Sequence, residues 1–237
     1  MYTFSGMVRY SECDASWRLT LPSLVNYLQD CSTFHCEHIN RGSTYLTEHH
    51  YAWFITNWQI RIFERPRFME SVTTGTWCHA MGATNARRNF CMLRPDGSPL
   101  VHADSLWVAI DTIRNRPMRI PEGNEAFLTG DPALDLPPFR RKLRIVGEGQ
   151  EMRPILVTEQ HIDTNHHVNN AQYIYMADCI VREFDETFEP QWLLVQYKMP
   201  AKLGDTIVPH FHTEDNGYSV DLVNEDGKSF AIVRMTA

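Results

Sequence analysis

The sequence predicts an α+β protein made of two tandem copies of one unit, each a long antiparallel sheet wrapped around a central helix. Three observations carry this expectation. The chain contains a faint internal repeat. Each half holds an Asp-Gly pair between alternating apolar runs, a strong short-range hairpin signal. Each half also holds one helical pattern, and the later helix is apolar on more than one face, so it must be wrapped rather than laid on a surface.

The repeat is read in order along the chain. YSECDASWRLTLPSLVNYLQDC (10–31) matches VTEQHIDTNHHVNNAQYIYMADC (157–179), with Asp14 over Asp163. RIFERPRFMESVTTGTW then matches QYKMPAKLGDTIVPHF, with Pro66 over Pro200. LRPDGSPLVHADSLWVAI matches VNEDGKSFAIVRMT, with Asp96-Gly97 over Asp226-Gly227. The helix expected from about 169 to 184 carries a stripe of Tyr173, Ala177, Ile180 and Phe184, widened by Ile174, Tyr175 and Val181. The first copy places Leu24, Leu28 and Cys31 in line. After Gln191 come four segments of strand length rich in β-branched and aromatic residues. A sheet curled around one helix is the hotdog fold, here duplicated. The expected organisation is an N-terminal hotdog over 1–125, a linker over 126–149 rich in Pro and Gly, and a C-terminal hotdog over 150–237.

The totals exclude several classes. The chain has 237 residues, 43% hydrophobic and 22% charged, which suits a soluble globular protein with a real core. No run approaches the ~18 apolar residues of a membrane span. The N-terminus lacks a secretory pattern, and the six Cys form no C-x-x-C pair, so the expected setting is a cytoplasm with reduced thiols. A formal charge of −7 argues against nucleic acid as a partner. G-x-S-x-G, a Gly-rich phosphate loop and H-E-x-x-H are all missing. Cys31, His35 and His38 share a helix face, but ordinary packing explains them better than a metal, and no metal or cofactor is expected.

One stretch asks for more than packing. Residues 162–170 read IDTNHHVNN, just before the apolar helix. Asn169 or Asn170 serves as an N-cap. Asp163, Asn165 and His167 are not needed for capping, so the choice lies between a hydrogen-bonded loop and an active site built at a helix start.

The chain resembles the acyl-acyl carrier protein thioesterases of bacteria and plants over nearly its whole length. The resemblance rests on CDASWRLTLPSLVNYLQD, YAWFITNWQIRIFERPRF, TW at 76–77, ARRNF at 86–90, DSLWVAID at 104–111 and RNRPMRIPE at 114–122. In the second half it rests on D-x-N-x-H-V-N-N at 163–170. It implies hydrolysis of the thioester between a fatty acyl chain and its carrier protein. It also implies an N-terminal hotdog that shapes the acyl pocket and a C-terminal hotdog carrying catalytic Asn165 and His167, with Asp163 a further catalytic position.

That chemistry needs an activated water, a stabilised oxyanion and a departing thiolate. His167 suits the general base at neutral pH. Asn165 holds the water or the carbonyl, and Asp163 orients either partner. The backbone amides of Val168 and Asn169, at the expected helix start, are the candidate oxyanion donors. In the first copy Ser16 and Arg18 stand where Asn165 and His167 stand, so one active site per chain is expected. The family's usual Glu and neighbouring Cys are replaced by Pro200 and Ala201, which puts any scheme using that carboxylate in doubt. Acidic acyl carrier protein, the expected partner, calls for a basic rim, with Arg87 and Arg88 the leading candidates and the run Arg140, Arg141, Lys142, Arg144 behind them. Trp53, Trp58, Trp77 and Trp107 read as core strand residues, one or two of them lining an acyl tunnel. An acyl-CoA thioesterase and a non-catalytic acyl binder remain the alternatives, and a homodimer stays open.

Overall fold

A computed structural model describes residues 1–145 and 149–237; residues 146–148 of the expected linker lie outside the described residues. The chain divides into two compact units, Met1–Phe139 and Arg140–Ala237.

In the first unit, β1 (Tyr2–Met7) leads through a short 3-10 turn to α1 (Leu21–His38) and a one-turn α2 (Ser43–Glu48). Four long strands follow: β2 (Tyr51–Ile62), β3 (Ser71–Met81), β4 (Asn85–Leu93) and β5 (Pro99–Asp111), with a two-residue β6 (Arg116–Pro117) on β5. The order is β1-β3-β4-β5-β2, antiparallel throughout. Thr20 caps α1 by accepting a hydrogen bond from the Ser23 amide, and Pro22 sits in the first turn, where its missing N–H costs nothing. The helix turns Leu21, Leu24, Val25, Leu28 and Cys31 onto β3 and β1, each at most 1% exposed. Full burial of such a side chain is worth ~1.5–3 kcal/mol, so α1 is held by its packing rather than by its modest helix propensity.

In the second unit, β7 (Gln150–Glu151) and β8 (Ile155–Leu156) both pair with β10. Pro154 stands between them and cannot donate to a ladder, so the entering strand is broken into two pieces. Then come α3 (Asn170–Phe184), β9 (Trp192–Tyr197), β10 (Thr206–Glu214), β11 (Gly217–Val223) and β12 (Ser229–Thr236), in the order β9-β12-β11-β10-β7. α3 lies on β10, β11 and β12. Its buried side is Ala171, Tyr173, Ile174, Met176, Ala177, Ile180 and Val181. Two residues of the expected apolar stripe depart from it: Tyr175 is 51% and Phe184 46% exposed. Phe184 stacks on Phe211, with ring centroids 4.1 Å apart, at the C-terminal end of the helix.

Both Asp-Gly hairpins form as expected. Gly97 (φ 83°) joins β4 to β5 and Gly227 (φ 77°) joins β11 to β12, a left-handed backbone that glycine adopts at no steric cost. The expected linker behaves differently at its start. Residues 126–139 lack strands but are pinned to the first unit. Phe127 is buried, Trp77 Nε1 donates to Pro132 O, Gln59 Nε2 to Pro137 O, and the Leu134 amide to Asn89 Oδ1. Buried polar groups of the sheet thereby find partners, and the compact unit extends to Phe139.

Candidate active site at the start of the second central helix

The loop before α3 is built by its own backbone. A 3-10 turn (Glu159–His161) leads to Asp163, whose Oδ1 accepts the Asn165 amide at 2.8 Å. The Asp163 amide donates to His167 O at 2.9 Å, and His166 turns the chain at φ 59°. Asn169 then caps α3 by accepting from the Ala171 amide at 2.8 Å. Asp163, Asn165 and His167 thus share one tight turn immediately before the helix N-terminus, whose partial positive charge favours a developing anion. Asn165 is exposed and His167 half-buried. The Nδ1 atom of His167 is buried and has no hydrogen-bond partner among the described residues. The Asp163 carboxylate therefore does not hold the imidazole, and its recorded bond is to the turn itself.

The expected oxyanion donors are corrected. The Val168 amide donates to Ala201 O and the Asn169 amide to His161 O, both at 2.9 Å. Buried backbone amides must find acceptors, and at the base of this loop, where Val168 and His161 are buried, these two are spent on doing so. Asn165's side-chain amide and the positive end of α3 are what remains to meet an oxyanion.

Arg88 is likewise corrected. It is 6% exposed and points into the first unit, so it cannot belong to a docking rim. Arg87 is partly exposed, pairs with Asp104 and lies over the Phe139 ring at 4.5 Å. Adjacent strand residues face opposite sides of a sheet, so one of two consecutive Arg in β4 had to point inward. That signal was present in the sequence.

The turn recurs in the first unit. Tyr10–Glu12 is the 3-10 turn, Asp14 Oδ1 accepts the Ser16 and Arg18 amides, Trp17 takes φ 64°, and Thr20 is the cap. The Asp14 amide donates to Arg18 O at 2.8 Å, as that of Asp163 does to His167 O. Farther on, the Leu19 amide donates to Pro66 O where the Val168 amide donates to Ala201 O. Met69 (φ 67°) corresponds to Gly204 (φ 87°). By hydrogen bonding, then, Pro66 matches Ala201, and Arg65 matches Pro200, one residue away from the expected Pro66–Pro200 alignment.

The acyl-ACP thioesterase N-terminal domain matches residues 1–127, and the acyl-ACP thioesterase C-terminal domain matches residues 147–235. The chain belongs to the acyl-ACP thioesterase family. Among relatives, the chloroplastic palmitoyl-acyl carrier protein thioesterase of Gossypium hirsutum is 25% identical over 232 residues, covering 92% of this chain and 56% of that protein. The chloroplastic oleoyl-acyl carrier protein thioesterase 1 of Arabidopsis thaliana is 22% identical over 224 residues, covering 87% and 62%. The chain thus spans about 56–62% of the length of these relatives. Among solved structures, an acyl-ACP thioesterase from Bacteroides thetaiotaomicron superposes with a TM-score of 0.87 at 23% identity, covering 99% of this chain and 96% of that one. The 12:0-ACP thioesterase from Umbellularia californica superposes at 0.84 with 15% identity, covering 99% and 96%. These confirm the hotdog fold.

Within this family frame, two residues around the turn were missed from sequence. Tyr173 accepts the Ala201 amide at 2.8 Å through its phenol oxygen, so it braces the β9–β10 loop residue whose carbonyl holds Val168. Burial pushes that phenol up to about 12, which keeps it neutral. Tyr197 donates to Asn170 O at 3.0 Å and fixes the first helical residue. Cys31, His35 and His38, weighed as metal ligands, are otherwise engaged. Cys31 Sγ donates to Thr74 O, His35 Nδ1 accepts from Arg88, and His38 packs at 5.3 Å from the Tyr2 ring. No helix among the described residues is long and apolar enough to cross a membrane.

Proposed function

We propose that the protein hydrolyses fatty acyl-acyl carrier protein thioesters to free fatty acid and carrier protein, at the turn that precedes α3. The observation that carries this reading is His167. It lies in the same turn as Asn165 at a helix N-terminus, with a buried Nδ1 that has no partner among the described residues, inside a chain matched in both halves by the family. In this scheme His167 takes the proton from water as the hydroxide adds to the thioester carbonyl. Asn165 holds the water or the carbonyl oxygen. The electron pair then collapses to expel the thiolate of the carrier's prosthetic arm, and the proton returns to it. A thiolate is a good leaving group, so the second transfer need not be early. Asp163 acts by holding the turn through the Asn165 amide. With Pro200 and Ala201 where the family's usual Glu and Cys are expected, no second carboxylate is called on.

The test is thiol release from matched acyl-carrier and acyl-CoA substrates. Carrier substrate should be preferred in kcat/KM, and equal or better use of CoA would move the assignment to an acyl-CoA thioesterase. His167→Ala should lower kcat by roughly 10²–10⁴ while acyl binding persists. Tight acyl binding with no turnover in the wild type would instead make this a binding protein.

A further inference from the structure

The turn before α1 displays a cluster of large side chains to solvent. Tyr10 is 72%, Trp17 52% and Met69 58% exposed, and Phe68 is exposed beside them. The three rings pack on one another, with centroids 5.8 Å apart for Tyr10 and Trp17, 5.4 Å for Trp17 and Phe68, and 6.2 Å for Tyr10 and Phe68. Their backbone is fixed: the Phe68 amide donates to Trp17 O at 2.9 Å, and the Met69 amide to Val8 O at 3.0 Å. Trp17 (φ 64°) and Met69 (φ 67°) both hold a left-handed backbone, which is costly for a residue with a bulky side chain. The fold does not demand these residues. On the matching backbone of the second unit stand Glu159 for Tyr10, His166 for Trp17, Leu203 for Phe68 and Gly204 for Met69. Single exposed apolar residues need no explanation, but a contiguous cluster marks a surface that meets something.

The charges around the cluster say what it meets. The acids of the same segments, 7–18 and 67–70, are Glu12, Asp14 and Glu70, and all three are engaged within the first unit. Glu12 Oε2 accepts from the Tyr27 hydroxyl at 2.9 Å, Asp14 Oδ2 from Arg65 at 2.7 Å, and Glu70 Oε1 from Arg94 Nε at 3.0 Å. The cations are Arg9, Arg18 and Arg67. Arg9 reaches Glu12 only at 3.4 Å, and its side chain is 78% exposed. Arg18 and Arg67 form no ion pair among the described residues, although they stand opposite each other in an antiparallel bridge. Like charges directly opposite repel, and an anion brought to that pair relieves them. Two copies of this face would set arginine against arginine, so charge opposes self-association.

We infer that this surface docks the protein on an anionic lipid bilayer, with Tyr10, Trp17, Phe68 and Met69 entering the headgroup region and Arg9, Arg18 and Arg67 meeting lipid phosphates. The inference goes beyond the thioesterase reading and does not rest on it. Trp and Tyr favour the membrane–water boundary because each is an apolar ring with a polar tip. All three cations are Arg, whose planar fork matches a phosphate. A specific protein interface takes roughly 20–30 residues a side, whereas a bilayer is engaged by a small knot of apolar tips ringed by positive charge.

The test is co-sedimentation of the full chain with vesicles of phosphatidylcholine alone, or of equal parts phosphatidylcholine and phosphatidylglycerol. The wild type should pellet with the phosphatidylglycerol vesicles, come off as salt is raised, and stay in solution with phosphatidylcholine. Arg18→Gln and Arg67→Gln should each weaken binding about fivefold. Trp17→Asn combined with Met69→Gly removes two apolar tips and suits the left-handed backbone at both positions. It should therefore keep the fold and weaken binding about tenfold or more. Wild type left in solution with phosphatidylglycerol vesicles overturns the proposal, as does binding that survives all of these variants. With soluble carrier-protein substrate and no vesicles, KM should be unchanged in every variant. A raised KM without vesicle binding gives the surface to an acidic protein and overturns the lipid reading. The vesicle measurement needs no turnover, so its failure leaves the thioesterase reading standing.

Discussion

The turn before α1 and the turn before α3 share one backbone and differ in nearly every side chain. Both use an Asp to accept the amide two residues ahead of it, both place a non-glycine residue at positive φ, and both end in a polar cap. In the first unit, Arg65 is buried, donates to Asp14 Oδ2 at 2.7 Å and to Leu19 O at 3.0 Å. Burial acts to raise the Asp14 carboxyl, but the Arg65 hydrogen bond and the Arg18 amide outweigh it, and the net position is below the usual range. In the second unit Pro200 replaces that Arg, and among the described residues no cation pairs with Asp163. The geometry is therefore a property of the fold. The two copies part where the tying cation is absent and an imidazole stands in place of a guanidinium.

The largest break in this comparison is His167→Ala against Arg18→Ala. The first should cost orders of magnitude in kcat, and the second should leave kcat within about twofold, since ordinary surface changes stay within ~0.5 kcal/mol. A comparable loss from both would end the assignment of one site per chain.

Next is Arg65→Met, which strands Asp14 and the Leu19 carbonyl. Hydrogen bonds to charged groups are worth about 1.5–3 kcal/mol, so the melting temperature should fall by several degrees with kcat unchanged. The pair also sets a sign in pH. With the folded carboxyl depressed, its stabilisation is complete above the unfolded value of ~3.9 and disappears as pH falls through the folded value. Denaturant melts of wild type and Arg65→Met should therefore differ most at neutral pH and converge in acid. Curves that stay parallel to low pH would remove the pair as a stabiliser.

The smallest contrast is the most specific. Pro66 has no N–H, and Leu24 sits where the second unit has Tyr173; Ala201 has an N–H, and Tyr173 accepts it. Tyr173→Phe should orphan that amide at a cost of ~1–3 kcal/mol. Adding Ala201→Pro recreates the first unit's solution and should recover part of the loss, a coupling that a double-mutant cycle reads directly. Strict additivity of the two changes would refute it.

Much of this was legible in the residues. Asp-Gly at 96–97 and 226–227 demands a left-handed glycine between strands, so the hairpins could be placed without coordinates. Asn169 before an apolar run marks a helix start, and α3 begins one residue later. What stayed hidden depended on partners distant in sequence. Pro66 over Pro200 looks the better match by letter, but the carbonyl that receives the turn's amide decides the register. The amides of Val168 and Asn169 looked free because their acceptors, Ala201 and His161, cannot be seen from a helix-start pattern. Tyr175 and Phe184 fit an apolar stripe that proved wider than the face the sheet covers.

A symmetric homodimer writes every substitution twice, because its two halves come from one sequence. Here each copy of the turn is spelled by its own residues. A guanidinium could settle beside Asp14, and Trp17 could take the bend that His166 takes, with the loop before α3 untouched. Joining the halves in one polypeptide leaves each turn free to carry its own side chains on a shared backbone.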